Sequence, residues 1–353
     1  MEKYYVAAIN AVNLLGAQRT RKLVEFFKSA EKAWRAGEEQ LKQILSPKAI
    51  ESFLEFRQKN PAAPEKLAEF CDAHKIKLCS ISDADYPPLL KEINSPPPVF
   101  YYKGKLQPNA ERIAIVGTRH NTAYGERVTR KISNELAEAG FTIVSGAAYG
   151  IDTCAHQGAM KFGRTVAVLG YGISKIPRDK KSLTDQIAEN GVVMTEFSPG
   201  TNANAGTFPT RNRIIAGLSR GVIVVEAGKR SGALITSSYA GDFSRDVFAV
   251  PGSVFFEKSY GCHELIRDGA ILVKNAQDIL DFYNLVTDKK PECVELAGDE
   301  KKVFDLIPAG DYIAPDEILN QLDDIEPNEI SRIILQLEQK NLIIGNGDMY
   351  TRA

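Results

Sequence analysis

A chain of 353 residues exceeds what one compact core of ordinary size holds, so two or three domains are expected. With 44% hydrophobic and 25% charged residues the composition is that of a soluble globular protein, and no apolar run approaches the roughly 20 residues of a membrane span. The formal net charge of −1 excludes a uniformly basic nucleic-acid binder, but it averages a gradient: residues 1–60 carry 11 Lys/Arg against 7 Asp/Glu, residues 61–298 carry 28 against 26, and residues 299–353 carry 5 against 12.

In chain order, residues 4–58 read as helices. Apolar positions recur at helical spacing in Val6, Ile9, Val12 and Leu15, then Leu23, Phe26 and Phe27, then Leu41, Ile44 and Leu45. Gly16 and Ser46-Pro47 punctuate them, so residues 1–60 form a small helical domain. The N-terminus has no cleavable signal pattern. Asn60-Pro61-Ala62-Ala63-Pro64 reads as a linker. Cys71, His74 and Cys79 lie close together but lack the fourth ligand of a structural zinc site, so no metal and no cofactor are expected. With Cys154, Cys262 and Cys293 the cysteine count is odd, which fits a reducing cytoplasm, the expected location.

The middle of the chain, residues 61–287, alternates buried-strand runs with helical segments. The runs are Ile113–Val116, Phe141–Val144, Thr165–Leu169, Val192–Thr195, Gly221–Val225 and Asp246–Val250, with an amphipathic helix near 125–139. Alternation of this kind implies an α/β core with a parallel sheet, whose ligands bind at the carboxyl ends of the strands. The tail, residues 296–353, holds three helical segments near 299–307, 315–322 and 327–340, then a hairpin expected to turn at Asn346-Gly347. That order is a winged helix.

Four loops carry the chemistry. IAIVGTRHNTAYG (113–125) lacks the dinucleotide fingerprint G-x-G-x-x-G, but Gly117 permits a sharp turn and the next helix start offers free N–H groups to a phosphate. Arg119 adds a planar fork suited to bidentate phosphate contact. VSGAAYGIDTCAHQGA (144–159) keeps a thin loop around Gly146 and Ala147; Asp152 is expected to cap the following helix, and His156 to be a core or interface histidine. Arg178, Lys180 and Lys181 follow Gly170 and Gly172 and read as a track for a charged backbone. Finally TFPTRNRIIAG (207–217) precedes SGALIT (231–236). Arg211 is the expected exposed contact, Arg213 is expected to be partly buried against Glu196 or Glu226, and Ser231, Gly232 and Thr236 offer donors at a helix start.

Together GTRHNTAYG, VSGAAYGID with AHQGA, TEFSPG, FPTRNRIIAGLS, VVEAGKRSGALIT, and DVFAVPG followed by GCHELIRDGA resemble the DprA/Smf family of bacterial DNA-processing proteins, densely over residues 112–275. The resemblance implies an extended Rossmann-like core flanked by a SAM- or helix-hairpin-helix-like module and a winged helix. It implies binding of single-stranded DNA, a homodimer, and loading of RecA recombinase during natural transformation, without catalytic turnover. Single-strand binding protein is a further candidate partner, and no membrane is involved. The implied DNA-binding set is Gly117, Thr118, Arg119, Gly146, Ala147, Arg178, Lys181, Arg211, Asn212, Ser231 and Gly232. The family's Tyr-Pro pair reads Ile176-Pro177 here, and its usual Asn is Lys180. LLGAQRT (14–20) lacks the Pro-Gly-x-Gly turn of the helical hairpin. In the tail, acidic residues outnumber the basic ones, so a protein-interaction or regulatory role is expected there. The competing functions are an enzyme such as a nucleoside monophosphate hydrolase, pairing Arg211 with Glu196 or Glu226, and a structural scaffold.

Overall fold

Continuous runs of Val, Ile and Ala form strands buried on both faces, the pattern of a parallel sheet covered by helices. The computed structural model describes residues 1–285, 296–309, 311–322, 324–340 and 342–352. They fall into two compact units, residues 1–286 and 287–353.

The first unit is built on nine strands: β1 (Lys77–Ser80), β2 (Val99–Gly104), β3 (Arg112–Val116), β4 (Thr142–Ser145), β5 (Arg164–Val168), β6 (Val192–Thr195), β7 (Gly221–Val224), β8 (Asp246–Ala249) and β9 (Ile271–Leu272). Their spatial order is β1-β2-β6-β5-β4-β3-β7-β8-β9. Strands β3 to β9 pair in parallel, while β2 runs antiparallel to β6 and β1 antiparallel to β2. All six expected strands are present, shifted by a residue at some ends. The antiparallel edge, β1 and β2, is an addition.

Successive residues of each strand feed opposite layers. Ala114, Val116, Val144, Val222 and Val224 pack with Ile214, Ile215 and Leu218 of the helix Thr207–Leu218. Ile113, Ile115, Ile143 and Ile223 pack with Ile132 and Leu136 of the helix Ala123–Glu138 and with Ile151 and Ala155 of the helix Ile151–Phe162. Each Val, Ile or Leu among them contributes about 1.5–3 kcal/mol by leaving water. The chain steps from β3 outward to β6 on one side and from β7 outward to β9 on the other. The β3–β7 junction is therefore the topological switch point, where an open α/β sheet leaves a crevice.

The N-terminal helices are not a separate body. Tyr5, Ile9, Leu23, Trp34 and Phe53 share one core with Leu78 of β1 and Val99 and Tyr101 of β2. Their apolar face is covered by the antiparallel edge of the sheet, so the expected boundary at residue 60 is a turn. The stretch Asn60–Pro64, expected as a linker, leads into the helix Ala63–Ala73. Cys71, Cys79, Cys154 and Cys262 are buried free thiols, and Cys293 lies outside the described residues.

The second unit holds helices Asp299–Leu306, Pro315–Leu319 and Pro327–Gln339, then β10 (Ile343–Asn346) paired antiparallel with β11 (Met349–Arg352). Val303, Ile318, Ile330, Ile333 and Leu337 form its core. The turn is Gly347-Asp348 rather than Asn346-Gly347, because Asn346 pairs with Met349 and Gly347 takes φ 64°. A glycine with positive φ at the first position of a two-residue turn suits the twist of a hairpin. Among the described residues, no helix is long and apolar enough to cross a membrane.

Candidate nucleic-acid interface

At the switch point the turn after β3 meets the loop after β7. Thr118 N donates to the Glu226 carbonyl at 2.8 Å, which ties the two strand ends together. Gly150, with φ +75°, lets a second loop pass close by; a Cβ there would stand 2.4 Å from the Thr118 carbonyl oxygen. The result is a cavity of about 710 Å³ lined by Gly117, Thr118, Arg119, Arg211, Asn212, Ser231 and Gly232 among others. Seven of the expected contact residues thus share one wall system. Gly146, Ala147, Arg178 and Lys181 are not part of this lining.

Arg119 is an exposed cation of the cavity, as is Arg230. The Arg119 guanidinium has no hydrogen-bonded partner among the described residues and lies 5.2 Å from the ring centroid of Phe208. A planar cation beside an aromatic face offers both a phosphate fork and a stacking surface.

Arg211 is a correction. It was expected to be exposed, yet only 4% of its surface is accessible. Nη1 donates to the Gly146 carbonyl at 2.6 Å and to the Val168 carbonyl, and Nε donates to Asn212 Oδ1 at 3.1 Å. Burial pulls its pKa down, opposed by the charge of Asp152. Arg211 therefore splices the ends of β4 and β5 beneath the cavity. Arg213, two residues on, is buried against Glu196, one of the two partners expected.

Asp152 also differs from expectation. The helix Ile151–Phe162 has Gly150 at its cap position, and Asp152 turns back into the preceding loop. Its Oδ2 accepts from Gly146 N at 3.1 Å and Ala148 N at 3.2 Å, so the carboxylate fixes the thin loop that sets Ala147 at φ 51°. Burial raises its pKa, and Arg211 works against that rise. His156 is a fully buried core histidine; Nδ1 lies 2.7 Å from Thr165 Oγ1, and burial first, then the charge of Arg211, pushes its pKa down to about 3.

The helix start after Gly117, expected to bind a phosphate through free N–H groups, is already filled by a protein anion. Thr122 N donates to Glu226 Oε2 at 3.0 Å, Thr122 Oγ1 donates to Oε1, and Gly125 leaves room for the carboxylate, since a Cβ there would meet Glu226 at 2.5 Å. A buried carboxylate at a helix N-terminus uses the same dipole a ligand would. The start of the helix Gly232–Asp242 remains open: Ser231 Oγ accepts from Ala233 N at 3.3 Å, Gly232 is exposed, and Asn212 Nδ2 donates to the Gly232 carbonyl at 3.1 Å.

The three cations after Gly172 diverge. Arg178 opens the helix Arg178–Asn190, exposed and without a side-chain partner among the described residues. Lys181 is exposed and pairs with Asp185 at 3.3 Å, a contact that water screens. Lys180 folds back, 4.3 Å from the Tyr149 ring centroid, and donates to the Ala147 carbonyl; burial lowers its pKa.

The family model described as DNA recombination-mediator protein A matches residues 77–284. Protein Smf of Synechocystis sp. is 42% identical over 288 residues, 79% of this chain and 72% of that one. This chain belongs to the DNA recombination-mediator protein A family. DNA processing protein DprA of Streptococcus pneumoniae is 44% identical over 236 residues, 63% of this chain and 82% of that one. The X-ray structure of the Streptococcus pneumoniae protein covers 80% of this chain and 98% of its own, with TM-score 0.71 and 36% identity. The structure addressing the single-stranded DNA binding mode of DNA processing protein A from Helicobacter pylori covers 59% and 96%, with TM-score 0.54 and 27% identity.

In this member of the DNA recombination-mediator protein A family, three residues outside the expected contact set stand near it. Phe208 and Arg230 line the cavity, and Tyr149 stands 59% exposed beside Lys180, its hydroxyl donating to Asp179. Phe208 and Tyr149 sit inside motifs already singled out for their glycines and arginines. An aromatic within a Gly- and Arg-rich loop was the available signal.

Proposed function

We propose that this chain binds single-stranded DNA largely without sequence preference and passes the strand to a RecA recombinase during DNA uptake, as a cytoplasmic homodimer. Phosphates lie over Arg119 and Arg178, with Lys181 alongside, and a base packs against Phe208. The observation that carries this reading is Arg119 itself, an unpartnered guanidinium beside an aromatic ring at the switch-point cavity. Family membership and the Helicobacter pylori relative add the nucleic-acid class. RecA, single-strand binding protein and the dimer rest on the family resemblance.

The hydrolase reading needs a free carboxylate facing the cavity. Glu196 is engaged by Arg213, Glu226 by Thr122, and Asp152 by two backbone amides. A binding role suits such a site better than turnover. In the tail, Arg332 on the helix Pro327–Gln339 pairs with Glu329, and Lys340 at its C-cap pairs with Glu300, so each cation there has an acidic neighbour within a net-acidic unit. That supports a protein-interaction role for this unit rather than duplex binding.

The test is a salt titration with oligothymidylate. Single-strand affinity falls with salt at a slope of about 0.7 per neutralised phosphate, so Arg119→Ala with Arg178→Ala should flatten the slope by about 1.4 and weaken binding. A folded double variant with unchanged slope and affinity removes this site from the reading.

A further inference from the structure

Beyond the cavity, the loop after β8 carries Val254, Phe255 and Phe256 exposed by 79%, 90% and 61%. Adjacent side chains this apolar and this open add nothing to the core. The backbone nevertheless holds them in place. Phe256 N donates to the Ser253 carbonyl at 3.1 Å, closing a turn with Val254 and Phe255 at its tip. Gly252 allows the loop to fold against Ser259, where a Cβ would meet Oγ at 2.2 Å, and His263 Nε2 lies 3.0 Å from the Gly252 carbonyl.

The tip is anchored to the cavity wall. Ala227 N donates to the Lys258 carbonyl at 2.7 Å, and Gly261 N donates to the Ala227 carbonyl at 2.7 Å; Gly228 and Arg230, next along the chain, line the cavity. Cations stand near the aromatic residues along the chain and beside Tyr260. Lys229 Nζ stands 4.6 Å from the Tyr260 ring centroid, Arg230 is exposed with no side-chain partner among the described residues, and Lys258 follows Glu257. Rings interleaved with cations, continuous with an anion-binding cavity, form a platform for a charged strand that presents flat faces. A protein partner would also take the apolar tip, but the continuity of these cations with the Arg-lined cavity favours a polyanion with flat faces.

We propose that Phe255 and Phe256 form a second stacking station, which receives the bases of single-stranded DNA leaving the switch-point cavity past Arg230. This rests on the cavity being the strand's main site.

The experiment uses the full chain and two oligothymidylates, one of about 6 and one of about 16 nucleotides, the span of known single-strand site sizes. The Phe255→Ala/Phe256→Ala double variant should bind the short one as the unsubstituted chain does and the long one about tenfold more weakly, one stacked base being worth that much. In Phe255→Trp the added indole should be quenched by the long oligonucleotide and not the short, over a background from the buried Trp34. Equal long-strand affinity with no quench, while the unsubstituted chain binds both lengths, overturns the second station and leaves the cavity reading standing. Loss of both lengths, or a changed molecular mass in the double variant, assigns the tip to structure or to protein contact and also overturns it. If the unsubstituted chain binds neither length, the cavity reading fails and takes this inference with it.

Discussion

The Arg211 guanidinium lies directly against Gly146: Nη1 donates to its carbonyl at 2.6 Å, and a Cβ on Gly146 would stand 2.5 Å from the same nitrogen. Arg211 cannot yield, because it also holds the Val168 carbonyl and Asn212. Gly146→Ala should therefore destabilise the protein by about 1–3 kcal/mol, the usual cost of an added methyl in a packed site. Urea unfolding measures this. A neutral substitution would mean that the arginine has room to move.

Neighbouring cations should differ in DNA binding. Arg178 is unpaired among the described residues, whereas Lys181 leans on Asp185. Arg178→Ala should lower the salt slope for oligothymidylate by about 0.7, and Lys181→Ala by less. The reverse order, read by fluorescence anisotropy, would show that the strand tracks along Lys181 instead.

Glu226→Gln separates a capping role from a catalytic one. The carboxylate accepts from both Thr122 N and Thr122 Oγ1, and an amide can keep only one oxygen in that position. Stability should drop by about 1–3 kcal/mol, the cost of leaving a buried polar group without its partner. Oligothymidylate affinity of the folded variant should stay unchanged. Intact stability with lost binding would instead place Glu226 against the ligand.

His156 predicts an acid limb in the stability profile. Its pKa falls from 6.5 to about 3 on folding. The unfolded chain therefore binds the proton first as pH drops below 6.5, and stability is lost from there toward pH 3. The slope is at most about 1.4 kcal/mol per pH unit for one group. His156→Asn should remove this component in Tm, most visibly between pH 6.5 and about 5, above the range where the carboxylates begin to protonate. An unchanged acid limb would locate the titration elsewhere.

The core strands were legible because a strand buried on both faces is a continuous apolar run, whatever its neighbours. The antiparallel edge was not. Val99–Gly104 is a run of β-formers behind three prolines, but its partner β6 lies some ninety positions on, at Val192–Thr195, and no local period announces that pairing. The core shared across residue 60 is hidden for a related reason: the apolar stripe of the N-terminal helices is visible in sequence, but the surface that covers it is not.

By itself the sequence determined the parallel α/β core, the strand-end loops and the cationic character of the cavity, since these follow from local composition and turn chemistry. Only the tertiary structure decided which charges face outward. Arg211 and Arg213 stand two residues apart on one helix, and both are buried because that helix packs over the ends of β4, β5 and β6. Arg119 is left without a side-chain partner among the described residues because Glu226, 104 positions from Thr122, is spent on the helix start. Desolvation and pairing are properties of the packed arrangement, and those are what separate a structural charge from one available to a ligand.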